Sequence, residues 1–194
     1  MSSIVGHLLA GSACHLTLST SNTVRAPARW LAAMCLAIVP DLDYLPAWWW
    51  HIDMSPRYSH SIGFCLLLGL AAWGLLRHRT SLASDQHLLA LCLLSPLSHL
   101  LLDLLVGVQA KPVLWPLTAE PLVLPFGILP SAGQLDWRNA ILWRNLLIET
   151  GVLLPAAMLL VGLTQRSWRI PVWLYSAASG CGIACGYWAY GLAR

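Results

Sequence analysis

Six stretches of the chain are apolar over much of their length, and several approach the ~20 residues that a bilayer-spanning helix needs. Residues 60–76 (HSIGFCLLLGLAAWGLL) and 87–108 (HLLALCLLSPLSHLLLDLLVGV) predict two spans. Residues 139–165 and 171–192 predict two more, the last with small residues from Gly182 to Gly186 suited to close helix contact. Residues 4–20 and 30–39 complete the set. The second of these is short and stops at Pro40-Asp41, as a half-span or a buried helix would. The pattern predicts an all-α, polytopic membrane bundle of about six membrane-embedded helices, forming one integral-membrane domain over residues 1–194.

Composition agrees. Of 194 residues, 58% are hydrophobic and 10% charged, against about 25% charged in soluble proteins. Mean hydropathy is +0.66, which rules out an ordinary soluble domain. The 11 Lys and Arg against 8 Asp and Glu come as scattered pairs rather than a stripe, which argues against nucleic acid as a partner. With six passes, the pairs Arg25/Arg29, Arg77/Arg79 and Arg166/Arg169 fall on one side, cytoplasmic by the positive-inside rule. The loop with Asp41, Asp43 and Asp53, and the 109–138 loop with Lys111, Glu120, Asp136 and Arg138, then lie on the outer, periplasmic-type face.

The N-terminus lacks the basic stretch and cleavage site of a secretory signal, so the first apolar run is expected to stay in the mature protein. All six cysteines sit in apolar or small-residue segments without zinc-motif spacing, and read as small hydrophobes. Tryptophans at span ends, among them Trp48, Trp49, Trp50, Trp137, Trp168 and Trp173, read as interfacial anchors.

Against that background the polar residues inside the spans stand out, because an ionisable group in hydrocarbon is costly unless it faces protein, water, a partner or a metal. His99 and Asp103 (SHLLLDLL) are spaced i, i+4 and share one helix face. Asp41 and Asp43 (PDLDYLP) would point apart on a continuous helix. Pro40 and Pro46 favour an irregular turn that could converge them. His7 and His60 open spans at the same membrane face. Together, His7, Asp41, Asp43, His60, His99 and Asp103 form a mixed imidazole and carboxylate set suited to Zn²⁺, Mn²⁺ or Fe. Glu149, roughly 15 Å into its helix, is a further candidate ligand, with a contact to Arg144 or Asn145 as its alternative. His15 is about 12 Å along the helix from His7, too far for the same ion. The Ser59-His60-Ser61 neighbours are adjacent on the chain and would point apart on a helix, so a serine nucleophile is not expected.

With these residues assembled, the chain resembles the bacterial LexA-regulated, inner-membrane-bound, metal-dependent hydrolase family. The likeness covers about residues 1–120 and rests on HLLAG at His7, PDLDYLP, SHS around His60, and SHLLLDLL followed by VGVQAKPVLWPL. It implies an α-helical membrane enzyme with a divalent metal centre, more distantly similar to the helical zinc-dependent phospholipase C and nuclease group. Carried over residue by residue, His7, Asp41, Asp43, His60, His99 and Asp103 become the ligands. The family often has a His-Arg pair ahead of this element, where this chain has Ser55-Pro56-Arg57.

The expectation is therefore a membrane metallohydrolase with one or two divalent ions, zinc first, acting on a lipid or lipid-linked substrate at a phosphoester through metal-activated water. Asp43 would orient the water or act as general base. Arg57 and Lys111 would clamp an anion. A lipid ester or amide remains open as the target, and a metal or proton transporter is the rival reading. The dry cytoplasmic halves of the spans, such as LGLAAWGLL, speak against transport. Beyond bilayer and lipid, no obligate protein partner is indicated.

Overall fold

The computed structural model describes residues 2–20, 23–52, 55–78, 86–107, 109–124, 127–131, 137–165 and 171–192. Asp53, Arg79, Asp136, Arg166, Trp168 and Arg169 lie outside the described residues. Among those described, the architecture is all-helical: α1 (Ile4–Thr17), α2 (Pro27–Ile38), α3 (Tyr44–Trp50), α4 (Ile62–Leu76), α5 (Leu88–Val106), α6 (Ala140–Thr164) and α7 (Val172–Tyr190). Short 3-10 turns, Val39–Asp43 and Tyr58–His60, join α2 to α3 and lead into α4.

Helices α1 and α5 are central: α1 packs on α2, α5 and α6, α5 also packs on α2 and α4, and α7 lies against α6. The inward stripe of α5 explains its position. Leu88, Cys92, Ser95, His99, Asp103 and Val106 recur every three or four residues and are all buried. Gly11 lets α1 and α2 approach closely, since a Cβ there would lie 2.7 Å from the Ala33 carbonyl oxygen.

Among the described residues, three segments are long and apolar enough to cross a membrane: Pro27–Ala47, Leu88–Val106 and Ala140–Thr164. This is fewer than the six expected. Helices α1 and α4, at 14 and 15 residues, extend only about 21–22 Å at 1.5 Å per residue, short of a ~30 Å hydrocarbon core. Helix α7 has the length, with 19 residues, but its Gly, Ser and Tyr content makes it less apolar. Helix α2 ends at Ile38, just before Pro40-Asp41 where the 30–39 segment is expected to stop, but the 3-10 turn leads on into α3 and extends the apolar segment to Ala47. Pro40 stands at the start of that turn, where a missing N–H costs little. All six cysteines are free, as packing residues should be.

Candidate metal centre

Four elements meet at one end of the bundle. Helix α1 brings His7, the turn Val39–Asp43 brings Asp41, the turn Tyr58–His60 brings His60, and α5 brings His99 and Asp103. The loop 109–124 closes over them. It is strapped to α4, whose first amides Ile62 N–H and Gly63 N–H donate to the Val113 and Trp115 carbonyls at 2.9 and 3.1 Å. Ser61 Oγ accepts from Phe64 N–H at 3.2 Å, so the first three amides of α4 are satisfied. Gly107, at φ 65°, ends α5 and turns the chain back so that the Lys111 ammonium bonds the Asp103 carboxylate.

Donor atoms of Asp41, His60, His99 and Asp103, all buried, lie within 4.8 Å of one another. His60 Nε2 is 3.3 Å from both Asp41 Oδ1 and Asp103 Oδ2, and His99 Nε2 is 3.6 Å from the same two oxygens. Ligand bonds of about 2.0–2.1 Å would put neighbouring donors of a tetrahedral ion about 3.3–3.4 Å apart, so this spacing fits a divalent ion. The outward oxygens of the same carboxylates face His7, whose Nε2 is 3.5 Å from Asp41 Oδ2 and 3.7 Å from Asp103 Oδ1. His7 also stacks on His99 with ring centroids 3.9 Å apart.

Protonation follows from the outer contacts. His99 Nδ1 lies 2.8 Å from the Ala37 carbonyl oxygen, which can only accept, so Nδ1 carries the proton and the Nε2 lone pair faces the cluster. His60 is set in the same way. Its Nδ1 lies 3.0 Å from Ser59 Oγ, and Ser59 donates to Asp43 Oδ2 at 2.6 Å. His99 Nε2 and both His7 nitrogens are buried without a hydrogen-bond partner. Each such orphan costs about 1–3 kcal/mol. Three of them beside two shared carboxylates make a donor set matched to a cation.

The family model for YdjM inner membrane protein matches residues 1–191. The chain belongs to that family. Its membership and its apolar helices place it in the inner membrane. No curated protein and no solved structure matches the chain.

In this YdjM family member, five of the expected metal residues, His7, Asp41, His60, His99 and Asp103, converge. Asp43 does not join the four-residue group. In a 3-10 turn, at three residues per turn, side chains two apart diverge by about 120°. Asp41 and Asp43 accordingly flank the two nitrogens of one imidazole: Asp41 faces His60 Nε2 and Asp43 Oδ2 stands 3.6 Å from His60 Nδ1. That is the place of a carboxylate that orients a ligating histidine.

Glu149 also stays out of the cluster. It accepts from Ser2 Oγ and from Ser3 N–H, at 3.0 Å to Oε1, and so sits at the N-terminus of α1, where the helix dipole favours a carboxylate. Gly6 makes room for it, since a Cβ at that position would lie 2.5 Å from Oε1. Neither expected alternative holds, because Arg144 pairs instead with Asn145 Oδ1 at 3.1 Å and Asn145 donates to the Ser131 carbonyl at 2.7 Å. Ser2 N–H donates to Asp103 Oδ1 at 2.9 Å, so Ser2 links Glu149 to the cluster's edge.

Arg57 and Lys111 both reach the site, each on a carboxylate: Arg57 Nη1 is 3.2 Å from Asp43 Oδ1, and Lys111 bonds Asp103. Sequence reasoning missed Tyr44, Ser59 and the Ala37 carbonyl. Ser59 was set aside as helical, but it lies in a 3-10 turn and reaches both His60 and Asp43. The tyrosine in PDLDYLP was the available signal for Tyr44, whose ring meets His60 edge-on at 5.8 Å and carries the Arg57 guanidinium 3.8 Å above it.

Proposed function

We propose that this protein is a membrane-embedded, metal-dependent hydrolase acting on a lipid or lipid-linked substrate, at a phosphoester. The observation that carries the reading is the buried Asp41-His60-His99-Asp103 group with His7 on its far side. His60 Nε2, His99 Nε2, Asp41 Oδ1 and Asp103 Oδ2 would hold one ion. His7 Nε2, Asp41 Oδ2 and Asp103 Oδ1 would hold a second, with only three protein donors and hence room for water, as catalytic rather than structural sites have. Zinc suits the mixed donor set, with manganese or iron as alternatives.

A divalent ion there supplies Lewis acidity, lowering the pKa of water and neutralising charge that develops on the scissile group. The chain's own residues do the rest. Ser59 and Asp43 keep the His60 tautomer fixed and offer a route for a proton away from the cluster. Lys111 and Arg57 stand where negative charge on a phosphoryl group would be stabilised. Burial of the cluster in a bilayer protein favours a substrate that enters from the membrane.

Transport would need polar groups continuing along the bundle. The buried polar group at the far end of α1, Arg29 with His15 and Ser19, bonds mainly to carbonyls that close the helix, which favours the hydrolase reading.

The test is metal content per chain of detergent-purified protein by elemental analysis, on the parent beside Asp41→Ala, His60→Ala, His99→Ala and Asp103→Ala, with monodisperse elution as the folding check. Stoichiometric zinc, manganese or iron that falls in all four is the expected result. A parent devoid of metal after reconstitution, or variants that all keep it, would overturn the reading.

A further inference from the structure

We infer that the cavity beside the metal cluster receives the anionic phosphate headgroup of a membrane lipid; this rests on the metal-centre reading above. The cavity measures about 490 Å³, inside the ~300–1,000 Å³ range of ligand pockets, and Ser55, Arg57, Gln109, Lys111, Ala119 and Pro121 are among the residues lining it. Lys111 also touches the cluster through Asp103, and Arg57 pairs with Asp43, the carboxylate that stands on His60 Nδ1. The cavity wall is prebuilt. The Arg57 guanidinium lies 3.8 Å over the Tyr44 ring, and the Tyr44 hydroxyl donates to Gln109 Oε1 at 2.8 Å, so the residues that shape the pocket are tied to the edge of His60.

Charge decides what such a pocket accepts. With neutral imidazoles, the carboxylates of Asp41, Asp43, Asp103 and Glu149 outnumber Arg57 and Lys111 by two. One divalent ion would cancel that excess and a second would leave the region positive, with Arg57 and Lys111 released from their carboxylates toward the cavity. A loaded site therefore attracts an anion, and the fork of Arg57 suits phosphate oxygens.

The segments that supply the cavity wall indicate the source of that anion. The segments that line the cavity carry exposed apolar side chains, with Tyr58 at 41%, Leu114 at 45%, Leu117 at 90%, Leu122 at 42% and Val123 at 48% exposure. Exposed apolar side chains on the segments that build a cationic pocket fit the headgroup layer of a bilayer. The occupant is a phospholipid with its chains still in the membrane rather than a soluble phosphate.

The experiment uses full-length, zinc-loaded protein in detergent, with zinc counted by elemental analysis. Calorimetric titration compares the phosphonate analogue of dihexanoylphosphatidate, which resists hydrolysis, with dihexanoylglycerol and with inorganic phosphate. The phosphonate is expected to bind at least about tenfold more tightly than either. Arg57→Gln should weaken it about tenfold. Ala119→Asp, at an exposed position on the cavity wall, should weaken it several-fold by like-charge repulsion, at unchanged zinc content. A zinc-loaded parent that does not prefer the phosphonate over dihexanoylglycerol, or two variants that bind it as the parent does, would overturn the subsite. Equal binding of inorganic phosphate would overturn the lipid assignment. A parent that holds no zinc would instead overturn the metal-centre reading and remove the subsite with it.

Discussion

Helix α1 carries a buried polar group at each end, and the two differ in how they are satisfied. At its C-terminal end, Arg29 Nη1 donates to the His15 carbonyl at 3.0 Å and to Ser19 Oγ at 2.8 Å, and Nη2 donates to the Leu18 carbonyl at 3.0 Å. Gln165 adds three bonds from α6, to the carbonyls of Leu16, Thr17 and Ser19 at 2.7–3.1 Å. These contacts satisfy the carbonyls that any helix leaves open at its C-terminus, and a cation there also suits the helix dipole. At the N-terminal end, His7 has both ring nitrogens without hydrogen-bond partners and faces carboxylates shared with two other imidazoles. Burial and charge alone therefore do not mark function. A polar cluster whose donors and acceptors match one another closes a helix, whereas a cluster with surplus acceptors converging on one point suits a cation.

The largest expected effect separates the two ends. Asp103→Asn removes a carboxylate that meets His60, His99, Lys111 and Ser2, and should reduce bound metal to near zero with the fold retained. Arg29→Met removes, in a fully buried position, the donors to Ser19 Oγ, to the His15 carbonyl and to the Leu18 carbonyl at the C-cap of α1, and should destabilise the protein by about 3 kcal/mol or more. Its metal content per folded chain should match the parent. Thermal unfolding in detergent and elemental analysis on both variants check this; metal loss in both, or in neither, would dissolve the contrast.

The same contrast shows what the sequence carried. The i, i+4 spacing of His99 and Asp103 was readable because a helix fixes that geometry wherever it lies. His7 and His60 were readable as ionisable groups at the openings of apolar runs. The division of labour between Asp41 and Asp43 was not, since the turn expected at Pro40 is a 3-10 turn that splays the two carboxylates rather than converging them. Arg29 looked like a topology signal beside Arg25, yet it is fully buried against the end of α1; only the tertiary approach of α2 reveals that. Glu149 looked like a ligand by depth alone, and its acceptors are taken by backbone and hydroxyl donors from the start of α1, a pairing across 146 residues or more.

Glu149 gives the intermediate case, because it lies at the metal end but is satisfied like the other end. Glu149→Gln keeps an acceptor for Ser2 and Ser3 while removing the charge that complements the start of α1. The expected outcome is a loss of about 1–2 kcal/mol in stability with metal content unchanged. A fall in metal content as steep as that of Asp103→Asn would return Glu149 to the ligand set.

Gln165→Ala is the mildest of the three. It removes the bonds from the end of α6 to the carbonyls of Leu16, Thr17 and Ser19, but the Leu16 carbonyl still accepts from Ser19 N–H at 3.4 Å and the Arg29 bonds to this end stay in place. Water can also reach part of this end, since Gln165 is not fully buried, and solvation offsets lost internal bonds. The cost should therefore be about 1 kcal/mol, read as a small drop in the unfolding midpoint with no change in bound metal. A loss as large as that of Arg29→Met would mean that α6, rather than α2, carries the closure of α1, and the cap would have to be redrawn around Gln165.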